Sequence, residues 1–390
     1  MSWPKVKLGD IVDIKGGGTP SKSNPDFWGG DIPWASVKDF KTSSLKETAD
    51  NITQLGVEKS ATNVIPAGNV IVPTRMALGK VAINEVDIAI NQDLKALLVR
   101  DEQTLSKLYL MRFLESKSAY IDEQGKGATV KGITLDVLRN LEVPLPPLVE
   151  QKRIAAILDK ADNIRRKRQQ AIQLADEFLR AVFLDMFGDP VTNPKGFPLG
   201  TIRDLVESAN YGSSAKASEV GGDYPILRMG NITYEGAVDM TDLKYIDLTD
   251  KEKPKYIAVK GDLLFNRTNS KELVGKTAVY DGDEPVAIAG YLIRVRTNKQ
   301  GNSYYVSGYL NSAHGKATLQ NMCKSIVGMA NINAQEMQDI PIIVPPINLQ
   351  HSYRDIVVST KNKLAAHQAA LKANNELLNA LSQKAFSGAL

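Results

Sequence analysis

The stretch Asn24–Pro25–Asp26–Phe27 comes nearest to a catalytic motif. Enzymes that modify exocyclic amino groups of bases use Asp/Asn-Pro-Pro-aromatic. Oxygens there accept from the amino group and the ring stacks on the extruded base. In this chain Asp26 stands in place of the second proline, and no glycine-rich cofactor loop follows a strand, so the stretch reads as a turn. Gly16–Gly17–Gly18 and Gly125–Lys126–Gly127–Ala128–Thr129 resemble phosphate cradles, but neither runs on into Lys-Ser/Thr as a nucleotide loop does. Both read as flexible loops, or as backbone N–H groups and lysines that meet a nucleic-acid phosphate. HExxH, GxSxG and helicase signatures are missing. The histidines, His314, His351 and His367, are too scattered for a metal cluster, and a single cysteine, Cys323, excludes an internal disulfide and a cysteine-rich zinc site.

The remaining chemistry is that of recognition. In the first half Thr19, Lys22, Trp34, Lys38, Arg75, Lys80, Asn91, Gln92 and Lys126 are polar or aromatic residues next to expected strand ends or in glycine-rich loops. In the second half Tyr211, Ser213, Arg228, Asn231, Asn266, Arg267, Thr268, Lys271 and Lys276 play the equivalent part. Arginine pairs bidentately with guanine, Asn and Gln pair with adenine, and Lys, Ser and Thr hold phosphate. Any one of them is an ordinary loop residue; together they make a candidate DNA-reading set.

Two kinds of element must position them. Val70–Ile71–Val72, Leu97–Leu98–Val99, Asp262–Phe265 and Tyr291–Val295 read as buried strands, with turns such as Pro66–Ala67–Gly68–Asn69 between strands. Single amphipathic helices are expected over 105–122 and 304–322. The segments 148–187 and 347–386 differ. Ile154, Ile157/Leu158, Ala161, Ile164, Ala171/Ile172, Ala175, Phe178/Leu179, Val182 and Met186 recur at the spacing of a coiled-coil seam, and Tyr353, Ile356/Val357, Thr360, Leu364, Ala370/Leu371, Leu377/Leu378 and Leu381 do so in the second segment. Pro-Pro opens each segment and Gly188 or Gly388 closes it. About forty residues at 1.5 Å each make a rod of roughly 60 Å. Two such rods in one chain cover each other's apolar stripes, and antiparallel pairing is expected. Arg168 and His367 fall near core positions, where they snorkel or set register. The run Arg165–Arg166–Lys167–Arg168 reads as a solvated face, or as a contact with nucleic acid lying along the rod.

The chain is written twice. Leu141–Gln151 (LEVPLPPLVEQ) returns as Ile340–Gln350 (IPIIVPPINLQ) at an offset of 199 residues, and Phe187 matches Phe386 at the same offset. In the globular parts the offset slips: 194 for Asp10–Ile11–Val12 against Asp204–Leu205–Val206, 192 for Asp31–Ile32–Pro33 against Asp223–Tyr224–Pro225, and 196 for Leu78–Gly79–Lys80 against Val274–Gly275–Lys276. Four segments follow: globular 1–145, helical 146–188, globular 189–343 and helical 344–390.

The 390 residues carry a hydrophobic fraction of 43%, a charged fraction of 24% and a net charge of +4. Those are values of an ordinary globular protein, and the mild basicity permits a polyanionic partner without demanding one. The opening MSWPKVKLGD has no apolar core of a signal peptide, and no apolar run reaches the roughly 18–20 residues of a membrane span. A cytoplasmic location is expected.

The helix entries LPPLVEQKRIAAIL (145–158) and VPPINLQHSYRDIV (344–357), with GGGTPSKS (16–23), TRMALGKVAIN (74–84), INQ (90–92) and FNRTNSKELVGK (265–276), resemble the specificity subunit of Type I restriction-modification enzymes over essentially the whole chain. The second copy departs from the first, with His351–Ser352 for Lys152–Arg153 and Ala289–Gly290 for Asn91–Gln92. The resemblance implies an α+β fold of two similar mixed α/β target recognition domains, related by an internal pseudo-twofold repeat and separated by an antiparallel coiled coil. Each domain would read one half of a bipartite, asymmetric double-stranded DNA site. The helices would set the spacer and dock two methyltransferase subunits, and restriction/translocase subunits would join them. S-adenosylmethionine, ATP and Mg2+ would belong to those partners, and this chain would bind no cofactor and catalyse nothing. A diverged methyltransferase or nuclease and a two-headed protein scaffold are the rival readings.

Overall fold

The computed structural model describes residues 3–127, 129–326 and 329–390. Ala128, inside the second glycine-rich loop, lies outside the described residues. Two helices dominate, Leu148–Phe187 and Ile347–Ser387. Each begins directly after its Pro-Pro, whose rings cannot continue a helix interior. Each ends at a glycine with positive φ, +79° at Gly188 and +82° at Gly388, where a side chain would strain the backbone.

The chain divides into two compact units. One runs up to Arg168 and adds Ala369–Leu390; the other is Gln169–Gln368. Each unit therefore holds one globular part and half of each long helix. In the first, Ile154, Ala155 and Leu158 of the opening half pack with Ala385 and Phe386 of the closing half against Tyr109, Leu110 and Phe113. In the second, Phe183 and Phe187 pack with Tyr353 and Val357 against Tyr305 and Tyr309. In both, the start of one helix lies against the end of the other, so the pairing is antiparallel. A fully buried Leu or Phe here contributes roughly 1.5–3 kcal/mol. Ile164, Phe178 and Leu377, expected on the seam, are about half exposed, because the globular parts and not only the partner helix decide which face is covered.

The globular parts share a plan. In the first, a sheet ordered Val12–Gly16, Leu94–Val99, Val70–Pro73, Ala82–Asn84, Ser44–Leu45 faces a second sheet ordered Asp50–Ile52, Trp28–Ala35, Ile88–Ile90, Asn63–Ile65 across the core of Ile71, Ile88 and Ile90. In the second, Val206–Tyr211, Leu292–Thr297, Leu263–Asn266, Thr277–Val279 faces Lys244–Ile246, Tyr224–Leu227, Val286–Ile288, Ile257–Ala258 across Leu264, Ile288 and Leu292. Both central strands alternate strictly between two cores: Val70 and Val72, or Leu263 and Phe265, turn toward the long helices, while Ile71 or Leu264 turns into the sandwich.

The two expected amphipathic helices are each broken. The first divides at Lys117 into Lys107–Ser116 and Ser118–Glu123. The second divides at Ser312 into Ser303–Asn311 and Ala313–Met322. Ser312 is extended, and its hydroxyl accepts from the Gly315 N–H at 3.0 Å, the geometry of an N-cap that starts a new helix.

In the basic run near the middle of the first long helix Lys167 is exposed, but Arg165 and Arg166 are tied down. Asp162 is buried and shared by three arginines: Arg112 at 3.1 Å, Arg165 at 2.7 Å and Arg166 at 2.6 Å. Arg112, also buried, reaches Asp159 and Glu115 as well, and Arg166 donates to Ser43 of the globular part. Burial raises the Asp162 pKa, but the hydrogen bonds of Arg165 and Arg166 and the charges of Arg166 and Arg112 outweigh it, so the carboxyl titrates below its ordinary value. Asp162→Ala removes the partner that the buried Arg112 shares with the half-buried Arg165 and Arg166 and should destabilise the chain by on the order of 3 kcal/mol in urea denaturation. Because the folded pKa is depressed, that difference should persist above the ordinary carboxylate pKa of 3.8 and shrink as the pH falls below it. Equal stability of the two chains near neutrality would refute this role.

Candidate nucleic-acid interface

The candidate residues gather where the central strands end and loops take over. In the first domain Gly17 presses on the Ile90 carbonyl so closely that a Cβ would lie 1.8 Å from its oxygen, which brings the 17–23 loop against the strand end at 88–92. Thr19 donates to Gln92 Oε1 at 2.5 Å, joining two candidates in one pair. Trp34 stands behind this loop: it is buried, its indole N–H donates to the Gly18 carbonyl at 3.0 Å, and it meets Trp28 edge-on at 5.2 Å. Asn91 is buried with Asp93, whose N–H donates to Asn91 Oδ1 at 3.1 Å. Lys80 donates to the Phe40 carbonyl at 2.9 Å. Lys22, Lys38, Gln92 and Lys126 lie exposed. Arg75 is exposed and sits 3.8 Å from the Asp93 carboxylate.

In the second domain Arg267 stacks its guanidinium on Tyr211 at 4.8 Å from the ring centroid. The Tyr211 hydroxyl accepts from the Ala334 N–H at 3.0 Å, which fixes the ring. The Arg267 backbone is held on both sides, its N–H donating to Tyr291 O at 3.0 Å and its carbonyl accepting from Ile332 at 2.9 Å. A stack of this kind is worth about 0.5–1 kcal/mol at an exposed site, and it orients the guanidinium edge before any ligand arrives. Asn266, one residue earlier, is fully buried and its amide has no hydrogen-bond partner among the described residues. Thr268 donates to Asn331 Oδ1 at 3.2 Å, and Lys271 is exposed.

Other candidates support the loops from within. Ser213 is buried and its hydroxyl accepts from the Ala215 N–H. Asn231 is buried, accepts from the Arg228 N–H and donates to the Asp239 and Asp242 carbonyls. The Arg228 side chain is tied to Asp242 at 2.8 Å. Lys276 donates to the Met229 carbonyl at 3.0 Å, and burial lowers its pKa.

Strand register shows that the two arginines are not equivalent. Pro73 pairs with Leu94, and Asn266 pairs with Leu292. Arg267 therefore corresponds to Thr74, and Arg75 to Thr268. Neighbouring residues of an extended chain point to opposite faces, so the two domains present arginine in different directions from one frame. Two residues escaped the sequence reading. Met76, beside Arg75, is exposed with φ +65°, a conformation costly for a side chain that size, and nothing in its local sequence signals it. Tyr291 is exposed beside Arg267, although its sequence context is that of a strand start.

A pair of sandwich domains, each anchored to half of two antiparallel helices and carrying polar loops at its strand ends, is a two-headed recognition architecture. The family model described as Type I restriction modification DNA specificity domain matches residues 2–174 and again 194–374, and the chain belongs to that family. It is a specificity subunit of a Type I restriction-modification system with two target recognition domains. The MjaIX specificity subunit of Methanocaldococcus jannaschii is 22% identical over 411 residues, covering 100% of this chain and 93% of that protein. The EcoKI specificity subunit of Escherichia coli is 25% identical over 321 residues, covering 75% and 68%. The Type I S subunit structure from M. genitalium superimposes with a TM-score of 0.63 at 16% identity over 99% of this chain and 96% of that one. Among the described residues no helix is long and apolar enough to cross a membrane.

Arg267→Ala should weaken binding of the assembled complex by on the order of 1–3 kcal/mol and relax the preference at one base pair of one half-site. Binding to a panel of singly substituted duplexes reads this directly. A loss of equal size on every sequence would make Arg267 a phosphate contact instead.

Proposed function

We propose that each recognition domain reads one half of a bipartite, asymmetric double-stranded DNA site. The long helices set the length of the unread spacer and dock two methyltransferase subunits, to which restriction/translocase subunits add. The chain contributes recognition and no catalysis. S-adenosylmethionine, ATP and Mg2+ belong to the partner subunits, and the complex works in the cytoplasm. One observation carries this reading: the repeat keeps a constant offset of 199 in the helices and slips between 192 and 198 in the globular parts. Distance is held while the reading loops vary, and Arg75 and Arg267 occupy non-equivalent positions on one frame.

The test is to remove seven residues from each long helix at equivalent positions. Each loses two turns, about 10 Å, or close to three base pairs of DNA rise. Mapping of methylated adenines in cells that carry the shortened chain should return the same half-sites with a shorter spacer. An unchanged spacer would contradict the ruler, and methyl transfer by the isolated chain would contradict its purely recognitive role.

A further inference from the structure

We propose that Gln151 and Gln350 are positioning residues: each latches its recognition domain onto the long helix that follows it at one angle, and that angle helps decide which spacer is accepted. The inference rests on the two-half-site reading above.

Both side chains are fully buried, and they make the same three hydrogen bonds. Gln151 Oε1 accepts from the Ser106 N–H at 2.9 Å, and its Nε2 donates to the Thr104 carbonyl at 2.8 Å and the Pro146 carbonyl at 2.9 Å. Gln350 Oε1 accepts from the Asn302 N–H at 2.9 Å, and its Nε2 donates to the Gln300 carbonyl at 3.0 Å and the Pro345 carbonyl at 2.9 Å. In each copy one amide bridges the Pro-Pro entry of the long helix and the loop that leads into the domain's own helix. A tyrosine on that helix adds a second tie, Tyr109 to the Pro144 carbonyl at 2.7 Å and Tyr305 to the Ile343 carbonyl at 2.6 Å.

Only an amide of this length satisfies at once a backbone N–H, the buried proline carbonyl and the half-buried loop carbonyl. A carboxylate offers no donors, and a leucine offers neither donor nor acceptor. The buried proline carbonyl left behind reaches water only if the helix entry and the loop move apart. The response to the substitution is thus a change in how the domain is held, not only a loss of contact.

The two latches are not equally reinforced. In the first unit Arg112 ties the same domain helix to Asp159 and Asp162, with 8% and 5% of the Arg112 and Asp162 side chains exposed. Gly308 stands at the place of Arg112, and the brace there is Lys361 to Asp281, whose side chains are 28% and 37% exposed. A more exposed pair is better screened and holds less firmly. Phe183 and Tyr353 pack beside Gly308 and supply aromatic reinforcement there, so the two latches are held by different means.

The test uses the full chain assembled with its methyltransferase partners, on duplexes that keep both half-sites and vary the spacer by single base pairs. Wild type should prefer one spacer. Gln350→Leu should raise methylation of the off-length spacers relative to the preferred one by about tenfold, less than the roughly hundredfold that a misplacement of about 1 Å can cost. Gln151→Leu should do so too, and neither should alter the bases preferred within a half-site. If Gln350→Leu does not assemble, Gln350→Glu keeps the acceptor, loses both donors and makes the same comparison. Val286→Ala, a buried truncation in the sandwich core of the same domain, should lower the melting temperature and leave the spacer ratio at the wild-type value. Unchanged spacer ratios in the glutamine variants, or the same relaxation in Val286→Ala, would overturn the latch. A wild-type complex indifferent to spacer length would instead overturn the two-half-site reading on which the latch rests.

Discussion

A helix of forty residues with an apolar stripe along it cannot stand alone in water. Burial of Ile154 and Leu158 at one place, and of Phe183, Phe187, Tyr353 and Val357 at another, needs a second helix of matching length and a globular part to close the remaining side. Everything else depends on that requirement. The same chain supplies the second helix through duplication, and a constant offset of 199 keeps the apolar residues in phase along both copies. The globular parts carry no such length condition, and their loops are free to differ.

The duplicated frame is held by the same polar groups and tuned by different ones. Gln151 and Gln350, and Tyr109 and Tyr305, make matching hydrogen bonds in the two units. Around them the chemistry diverges. The first unit buries Arg112 in a network of carboxylates, whereas the second places Gly308 where a Cβ would come within 2.7 Å of the Tyr353 hydroxyl and 3.0 Å of Phe183. One solution uses charge and the other uses aromatic packing, and a single backbone plan accommodates both. The same holds at the strand ends, where a one-residue shift of the arginine turns it to the other face.

Much of the frame was legible because its signals are local and periodic. The seam spacing, the Pro-Pro entries and the closing glycines locate both long helices to within a residue of their observed ends. The strands at 70–73 and 263–266 are apolar runs bounded by turns, and they read as such. The broken helices were not legible: the apolar pattern runs on through Lys117 and Ser312, and the second break follows from the Ser312 cap and from close packing around Gly315. Among the candidate contacts, residue type was readable and environment was not. Trp34, Asn91, Ser213 and Asn231 have the chemistry of base or phosphate readers, yet in the fold they are buried under the loops they support.

The amino-acid sequence by itself determined the two rods, because periodicity, proline and glycine act over a few residues and need no partner to be recognised, and its repeated motifs carried the duplication and the family resemblance. Tertiary structure alone decided which polar residues face outward, that Asp162 gathers three arginines, that Arg267 lies on Tyr211, and that two glutamines 199 residues apart form the same buried latch. Those facts depend on groups brought together across long stretches of chain, and burial and hydrogen bonding are properties of that encounter rather than of any residue in it.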